Sequence, residues 1–271
     1  MATAIIVGNG DFPRTAFPRY LAGSADYIVC CDGALATWIR VAPKIFGELR
    51  IPDVVIGDMD SLSPALRKKY ADRVVHVEEQ DFNDQTKALL HVLANFRDVD
   101  TIHFLGATGK REDHTIGNVS LLMEYAKALG PGRAPSGPDG NSSSPTSSDG
   151  LSSSHVDADG LSSIHVAADG LSSCMARALE PYRGRELSID IVSDYTTIIA
   201  VSDSSELAVG EGRKVSLISC DNSLKVKSEG LMWPTDDVVF DNLWKATLNR
   251  ASEDVIRLRF NHPSALLVVL A

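Results

Sequence analysis

The sequence predicts an α/β N-terminal domain built on a parallel sheet, a flexible low-complexity insertion, and a C-terminal all-β domain of the sandwich or barrel kind. Three observations carry that expectation. Residues 3–129 alternate short, nearly all-apolar, β-branched runs with helical stretches, the pattern of a parallel sheet covered on both faces. Across residues 130–173 the composition shifts to 13 Ser, 7 Gly and 4 Pro among 44 residues. From about Glu186 onward, runs of β character are separated by turn residues and show little helical periodicity. The expected boundaries are 1–129, 130–186 and 187–271.

In the first part, strands are expected at 4–7, 27–31, 54–57, 74–77 and 101–105, each ending at a glycine or an acid and followed by a helical segment. Ligands of such sheets bind at the carboxyl ends of the strands, so the polar clusters just after each strand are the ones to examine. The middle part is too poor in apolar residues to offset its ordering entropy. It contains a ten-residue repeat, Asp149-Gly-Leu-Ser-Ser-Ser-His-Val-Asp-Ala, then a second copy from Asp159 and a decayed third from Asp169. Three copies of that length are too short for the common solenoid periods. His155 and His165, ten residues apart on a flexible segment, preorganise no metal site. In the last part, strands are expected at 187–192, 196–201, 214–218, 255–260 and 265–270. Gly210, Gly212, Asp221-Asn222 and Asn261-His262-Pro263 mark the turns.

Composition narrows the function. The chain has 271 residues, 44% hydrophobic and 23% charged, which suits a soluble globular protein. Its formal net charge of −10 repels phosphate backbones and argues against nucleic-acid binding, although an acidic chain binds a nucleotide when a metal bridges the charges. Cys30, Cys31, Cys174 and Cys220 show no zinc-ligand or disulfide spacing, which fits a reducing cytoplasm. No basic leader and no membrane-length apolar run is seen.

Two familiar nucleotide motifs are excluded. Gly106-Ala-Thr-Gly-Lys110 lacks Walker A spacing and is followed by Arg111. Gly8-Asn-Gly10 lacks the third glycine of a dinucleotide fingerprint, because Pro13 occupies its place. What remains is a set of aspartates at strand ends. Asp32 follows the second strand, Asp58 and Asp60 the third, Asp81 and Asp84 the fourth, and Asp113 the fifth. Singly, each is a turn former or helix cap. Alternate residues of an extended segment point the same way, so Asp58 and Asp60 form a natural pair. Together on one sheet edge, so many carboxylates call for divalent cations, and hard oxygen ligands suit Mg2+. Lys87 and Arg111 are the countercharges an anionic phosphate chain needs, while His114 by itself reads as a structural hydrogen bonder.

The set resembles the thiamine pyrophosphokinase family, whose catalytic domain carries Asp-Gly-Gly/Ala, Gly-Asp-Phe-Asp-Ser, Asp-Gln-Asp-x-Thr-Asp-x-x-Lys and Gly-Gly-Arg-x-Asp-His in this order. Here these are Asp32-Gly-Ala34, Gly57-Asp-Met-Asp-Ser61, Glu79-Gln-Asp-Phe-Asn-Asp-Gln-Thr-Lys87 and Gly109-Lys-Arg-Glu-Asp-His114. Val215-Ser-Leu-Ile218, Gly230-Leu-Met-Trp233 and Ala246-Thr-Leu-Asn249 are similar to the family's later elements. The resemblance implies ATP-dependent transfer of a diphosphate group to the hydroxyl of thiamine, giving thiamine diphosphate and AMP. It implies catalytic roles for Asp32, Asp58, Asp60, Asp81 and Asp84, the last four holding Mg2+. It places Asn9, Lys87, Gly106, Arg111, Asp113 and His114 at ATP, and Trp233, Thr247 and Asn249 at thiamine. It further implies a homodimer in which the β domain of one subunit completes the thiamine site of the other. Three departures stand out: Glu79 and Asn83 replace Asp and Thr, and Leu248 stands where many members have a thiamine-contacting Ser. Two rivals stay open, an inactive thiamine- or nucleotide-binding homologue and a Mg2+-dependent phosphohydrolase acting on another substrate.

Overall fold

The protein is represented by a computed structural model that describes residues 1–130 and 170–271. The repeat copies beginning at 149 and 159, with His155 and His165, lie outside the described residues. From the N-terminus, β1 (Ala2–Val7), α1 (Ala16–Ser24), β2 (Tyr27–Cys31), α2 (Ala34–Phe46), β3 (Val54–Gly57), α3 (Pro64–Lys69), β4 (Val74–His76), α4 (Asp84–Asn95), β5 (Val99–Leu105) and α5 (Glu112–Leu129) alternate in sequence. After the undescribed stretch come α6 (Gly170–Leu179) and eight strands. These are β6 (Ser188–Val192), β7 (Thr197–Val201), β8 (Ser205–Ala208), β9 (Lys214–Ile218), β10 (Val226–Glu229), β11 (Ala246–Arg250), β12 (Val255–Phe260) and β13 (Leu266–Leu270).

Strands β1 to β4 run parallel in the order β1-β2-β3-β4, and β5 pairs parallel with the other side of β1. The order therefore reverses at β1, and the crevice beyond its carboxyl end is where such a sheet binds ligands. Successive side chains of a strand alternate between faces. Ala4 and Ile6 enter a core shared with Phe104, Leu122 and Tyr125, whereas Ile5 and Val7 enter one shared with Ile28, Cys30 and Trp38. Both faces are thus dry, which is why these strands carry almost no polar residues. Helix α2 stops at Gly47, whose φ of 78° is the left-handed cap that a glycine adopts without strain.

The α/β and all-β regions share one sheet. β6 pairs parallel with β5, and antiparallel β7, β13, β9 and β11 then extend the sheet to ten strands. A second sheet, β10-β12-β8, closes the sandwich over a core that includes Leu217, Val226, Ile256 and Val268. The third repeat copy also departs from its composition. Residues 170–179 form α6, packed on α5, with Cys174, Met175 and Leu179 almost wholly buried. Their apolar spacing outweighs the Ser and Gly around them, so this part of the expected flexible insertion belongs to the core. No helix among the described residues is long and apolar enough to cross a membrane.

A buried ion pair lies between the core that holds Ile5 and the core that holds Ile199. On one face of the sheet, Ile5, His103, Asp190 and Ile199 lie side by side on β1, β5, β6 and β7. His103 Nδ1 and Asp190 Oδ1 are 2.7 Å apart. Burial alone pulls the imidazole pKa down, but the Asp190 carboxylate outweighs it and raises the pKa above 6.5. A raised folded-state pKa means that the pair's stabilisation is full below 6.5 and is lost as pH climbs through the raised value. Asp190→Asn is therefore expected to destabilise by about 3 kcal/mol at pH 6 and by less at pH 9, in denaturant melts at the two pH values.

Candidate active site

The loops after β1, β3 and β5, with the first turns of α4 and α5, surround a cavity of about 780 Å3 at the switch point. Two of these loops interlock through backbone. Gly10 N–H donates to Gly106 O at 2.7 Å, and a Cβ on Gly8 would lie 2.7 Å from the same oxygen. Gly106 itself has φ 68°, so its role is to let the β1 and β5 loops meet. Asn9 stands at that junction and lines the cavity.

Asp32, on leaving β2, has φ 33° and is 3% exposed. Its Oδ2 accepts the Ser61 N–H at 2.8 Å, while its Oδ1 is buried with no partner among the described residues. Asp58 and Asp60 do converge, but not on an extended segment. The chain turns at Met59, with φ 67°, and Asp60 N–H donates to Asp58 Oδ1 at 3.3 Å. Carboxylate oxygens of Asp32, Asp58 and Asp60 all lie within 4.8 Å of one another. Burial pushes the Asp32 carboxyl up, whereas the Asp60 N–H holds Asp58 down.

Asp84 closes the floor. A Cβ on Gly57 would lie 2.9 Å from Asp32 Cβ and 3.0 Å from Asp84 Oδ1, so only glycine allows the two acids to approach there. Asn83 rather than Asp84 caps α4, its side chain accepting the Thr86 N–H at 3.0 Å. That frees Asp84 to face Lys87, whose ammonium is 3.9 Å from Asp84 Oδ1 on a side chain 3% exposed. Burial still dominates and lifts the Asp84 carboxyl from 3.8 to about 6, against the attraction of Lys87 and helped by Asp32, Asp58 and Asp60. The folded state then holds more protons than the unfolded one between those values, so metal-free stability falls as pH rises from 4 to 6. Asp84→Asn is expected to raise metal-free stability at pH 7.5 by on the order of 1 kcal/mol, discounted for partial exposure. Melts of wild type and variant at pH 5 and 7.5 check this.

The remaining residues divide. Asp81, Lys87, Arg111 and His114 line the cavity with the acids. Arg111 is tied to Asp113, Nε donating to Oδ1 at 3.1 Å, and both side chains are about two-thirds exposed. That guanidinium holds the Asp113 carboxyl down at about 2. Trp233, Thr247 and Asn249 surround a separate hollow of about 170 Å3 on the sandwich. There Asn249 Nδ2 donates to Trp233 O at 2.7 Å, its Oδ1 accepts Trp233 N–H at 3.2 Å, and Thr247 Oγ1 donates to Trp244 O. These two polar side chains hold the Trp233 loop. Sequence reasoning missed Lys110, Gln80 and Asn118 on the cavity wall. Of these, Lys110 and Gln80 stood inside quoted motifs, while nothing in the sequence singles out Asn118.

An acid-lined crevice at the switch point of a doubly wound sheet, with cations beside it, defines an α/β protein built to hold a highly charged ligand. The comparisons give the family. Residues 18–129 match "Thiamin pyrophosphokinase, catalytic domain" and residues 197–266 match "Thiamin pyrophosphokinase, substrate-binding domain". The chain belongs to the thiamin pyrophosphokinase family. It is 30% identical over 141 residues to thiamine pyrophosphokinase 1 of Oryza sativa subsp. japonica, covering 46% of this chain and 53% of that one. It is 29% identical over 145 residues to thiamine pyrophosphokinase 1 of Arabidopsis thaliana, covering 45% and 51%. The matched stretch spans about half the length of these relatives. Its fold is similar to that of the thiamine pyrophosphokinase from Bacillus subtilis, with TM-score 0.61, 15% identity and 99% and 98% of the chains covered. The enzyme from Candida albicans is also similar, with TM-score 0.62, 14% identity and 99% and 88% covered.

Proposed function

We propose that this chain transfers a diphosphate group from ATP to the hydroxyl of thiamine, giving thiamine diphosphate and AMP. The observation that carries the reading is the meeting of Asp32, Asp58 and Asp60 beside the switch-point cavity that Asp58 and Asp60 line, within a chain that matches both family domains. The residues suit Mg2+: three hard carboxylates converge, and one buried oxygen, Asp32 Oδ1, lacks a partner. Asp32, Asp58 and Asp60 are the ligands this geometry favours, with Asp84 beside Asp32 and exposed Asp81 as further carboxylates for metal or its waters. Bound Mg2+ would draw negative charge from the phosphate oxygens and so ease attack at the β-phosphorus.

The chain's own side chains do the rest by position and charge. Lys87 partly neutralises the acid floor from below. Asn9 and the glycine-mediated contact of the β1 and β5 loops fix the cavity wall against which a nucleotide lies. Thiamine's flat, cationic ring system suits stacking on Trp233, which is 55% exposed. In a single copy, Trp233 and the acids line different cavities. A homodimer that brings one subunit's Trp233 surface to the partner's acids reconciles them, and exposed Leu243, Trp244 and Leu248 give that surface apolar area to bury. Leu248 has φ 62° at an irregularity in β11 and offers no hydroxyl, so thiamine recognition there rests on apolar contact. Four free cysteines accord with a reducing, cytoplasmic setting.

ATP labelled at the β-phosphorus tests the reading. All of the label should move into thiamine diphosphate and none into AMP. Label left in ADP, or released as inorganic pyrophosphate without thiamine, would instead mark a phosphohydrolase.

A further inference from the structure

Arg111, the cation expected at the phosphate chain, lines the cavity and is also paired with Asp113, with its side chain about two-thirds exposed. A second cation, Lys110, lines the same cavity. Lys110 adopts φ 61°, a region disfavoured for any residue bearing a Cβ. Its ammonium reaches across the switch point to Asn9, 2.6 Å from the backbone oxygen and 3.3 Å from Oδ1. The related motif, Gly-Gly-Arg-x-Asp-His, has glycine at this place, which suits a left-handed turn. This chain keeps the turn and puts a lysine on it.

We infer that Lys110 is a phosphate-contacting residue of this chain, fixing the polyphosphate of the nucleotide between the β1 loop and the start of α5. The inference rests on the diphosphate-transfer reading. An ammonium has three donors, and two of them face Asn9 oxygens, which leaves one for an anion. Both of those oxygens are uncharged, so the lysine's charge is not cancelled within the contact. Lys110 and Asn9 line the same space as Asp58 and Asp60. A ligand with phosphates bridged to the acids by metal therefore enters the space that Lys110 lines. The Asn9 contact holds the lysine in place before ligand arrives, which lowers the entropy lost on binding.

Calorimetric titration of wild type, Lys110→Met and Lys110→Gly, with Mg2+ and α,β-methylene-ATP, tests this, because the α–β bridge of that analogue resists cleavage. Both variants are expected to bind the nucleotide analogue about tenfold more weakly, with a shallower salt dependence and with thiamine affinity within about twofold of wild type. Lys110→Gly, freed of the left-handed lysine, should melt no lower than wild type, which keeps a binding loss from being read as misfolding. Wild-type nucleotide affinity in Lys110→Met overturns the inference and leaves the transfer reading standing. A role confined to tethering Asn9 would lower the melting temperature of both variants and weaken thiamine and nucleotide alike, and that pattern overturns it as well. A wild-type protein that binds no magnesium nucleotide takes down both readings.

Discussion

Asp60→Asn is expected to lower the rate of diphosphate transfer on the order of a thousandfold while leaving the protein folded and no less stable than wild type. The two effects have one cause. Asp32, Asp58 and Asp60 hold carboxylate oxygens within 4.8 Å of one another, and like charges at that spacing repel. Removing one charge relieves the metal-free protein. It also takes away a ligand, and a divalent cation held by one carboxylate fewer is both weaker bound and less well placed. Asparagine keeps the shape and can still accept the Ser61 hydroxyl, which donates to Asp60 Oδ1 at 2.9 Å, so the turn should survive. Steady-state kinetics at saturating Mg2+, beside a thermal melt in EDTA, separate loss of ligand from loss of fold. A variant with wild-type kcat would remove Asp60 from the metal site.

Deleting α6 is expected to unfold the chain, whereas replacing residues 134–169 with a ten-residue glycine-serine linker should leave melting temperature and activity close to wild type. The contrast comes from burial. Cys174 and Met175 are 1% exposed and Leu179 is 0% exposed, all in the core beneath α5. Losing two large buried apolar side chains costs about 2–5 kcal/mol each, which is comparable to the whole stability of an ordinary domain. Met175 also lines the candidate active site, so any variant that survived would bind nucleotide poorly. Ten linker residues span up to about 33 Å, enough to rejoin α5 to α6 along one side of a helix of this length. Circular dichroism melts of the two deletions give the answer. A folded, active protein lacking α6 would contradict this assignment.

Much of the frame was legible because its physics is local. The parallel strands stand out as short apolar runs closed by glycine or acid, and β2, β3, β9 and β12 fall where the sequence expects them. The aspartates were legible as a set because a parallel sheet brings the residue after every strand to one edge. Other features depend on distant partners. The parallel pairing of β6 with β5 crosses the whole insertion, and nothing in Ser188–Val192 marks it as the continuation of the first sheet rather than the start of a second. Strands β8, β10 and β11 escaped notice because they are short and partly polar. In β10 the inward residues are Val226 and Ser228, and the serine is buried because its Oγ accepts the Thr235 N–H. Side-chain direction was the least legible of all. Adjacent Lys110 and Arg111 look equivalent in sequence, but only the first meets Asn9. Asn249 and Thr247 line the hollow beside Trp233, and their hydrogen bonds to the backbone at Trp233 and Trp244 could not be read from the sequence.

In the function proposed for this chain, thiamine is the acceptor of a diphosphate held by the acidic cavity. A coupled assay of AMP release from MgATP, run with and without thiamine, tests this most directly. AMP is expected only when thiamine is present, with one thiamine diphosphate formed for each AMP. Inorganic phosphate released at the same rate without thiamine, or binding of both substrates with no turnover, would contradict it.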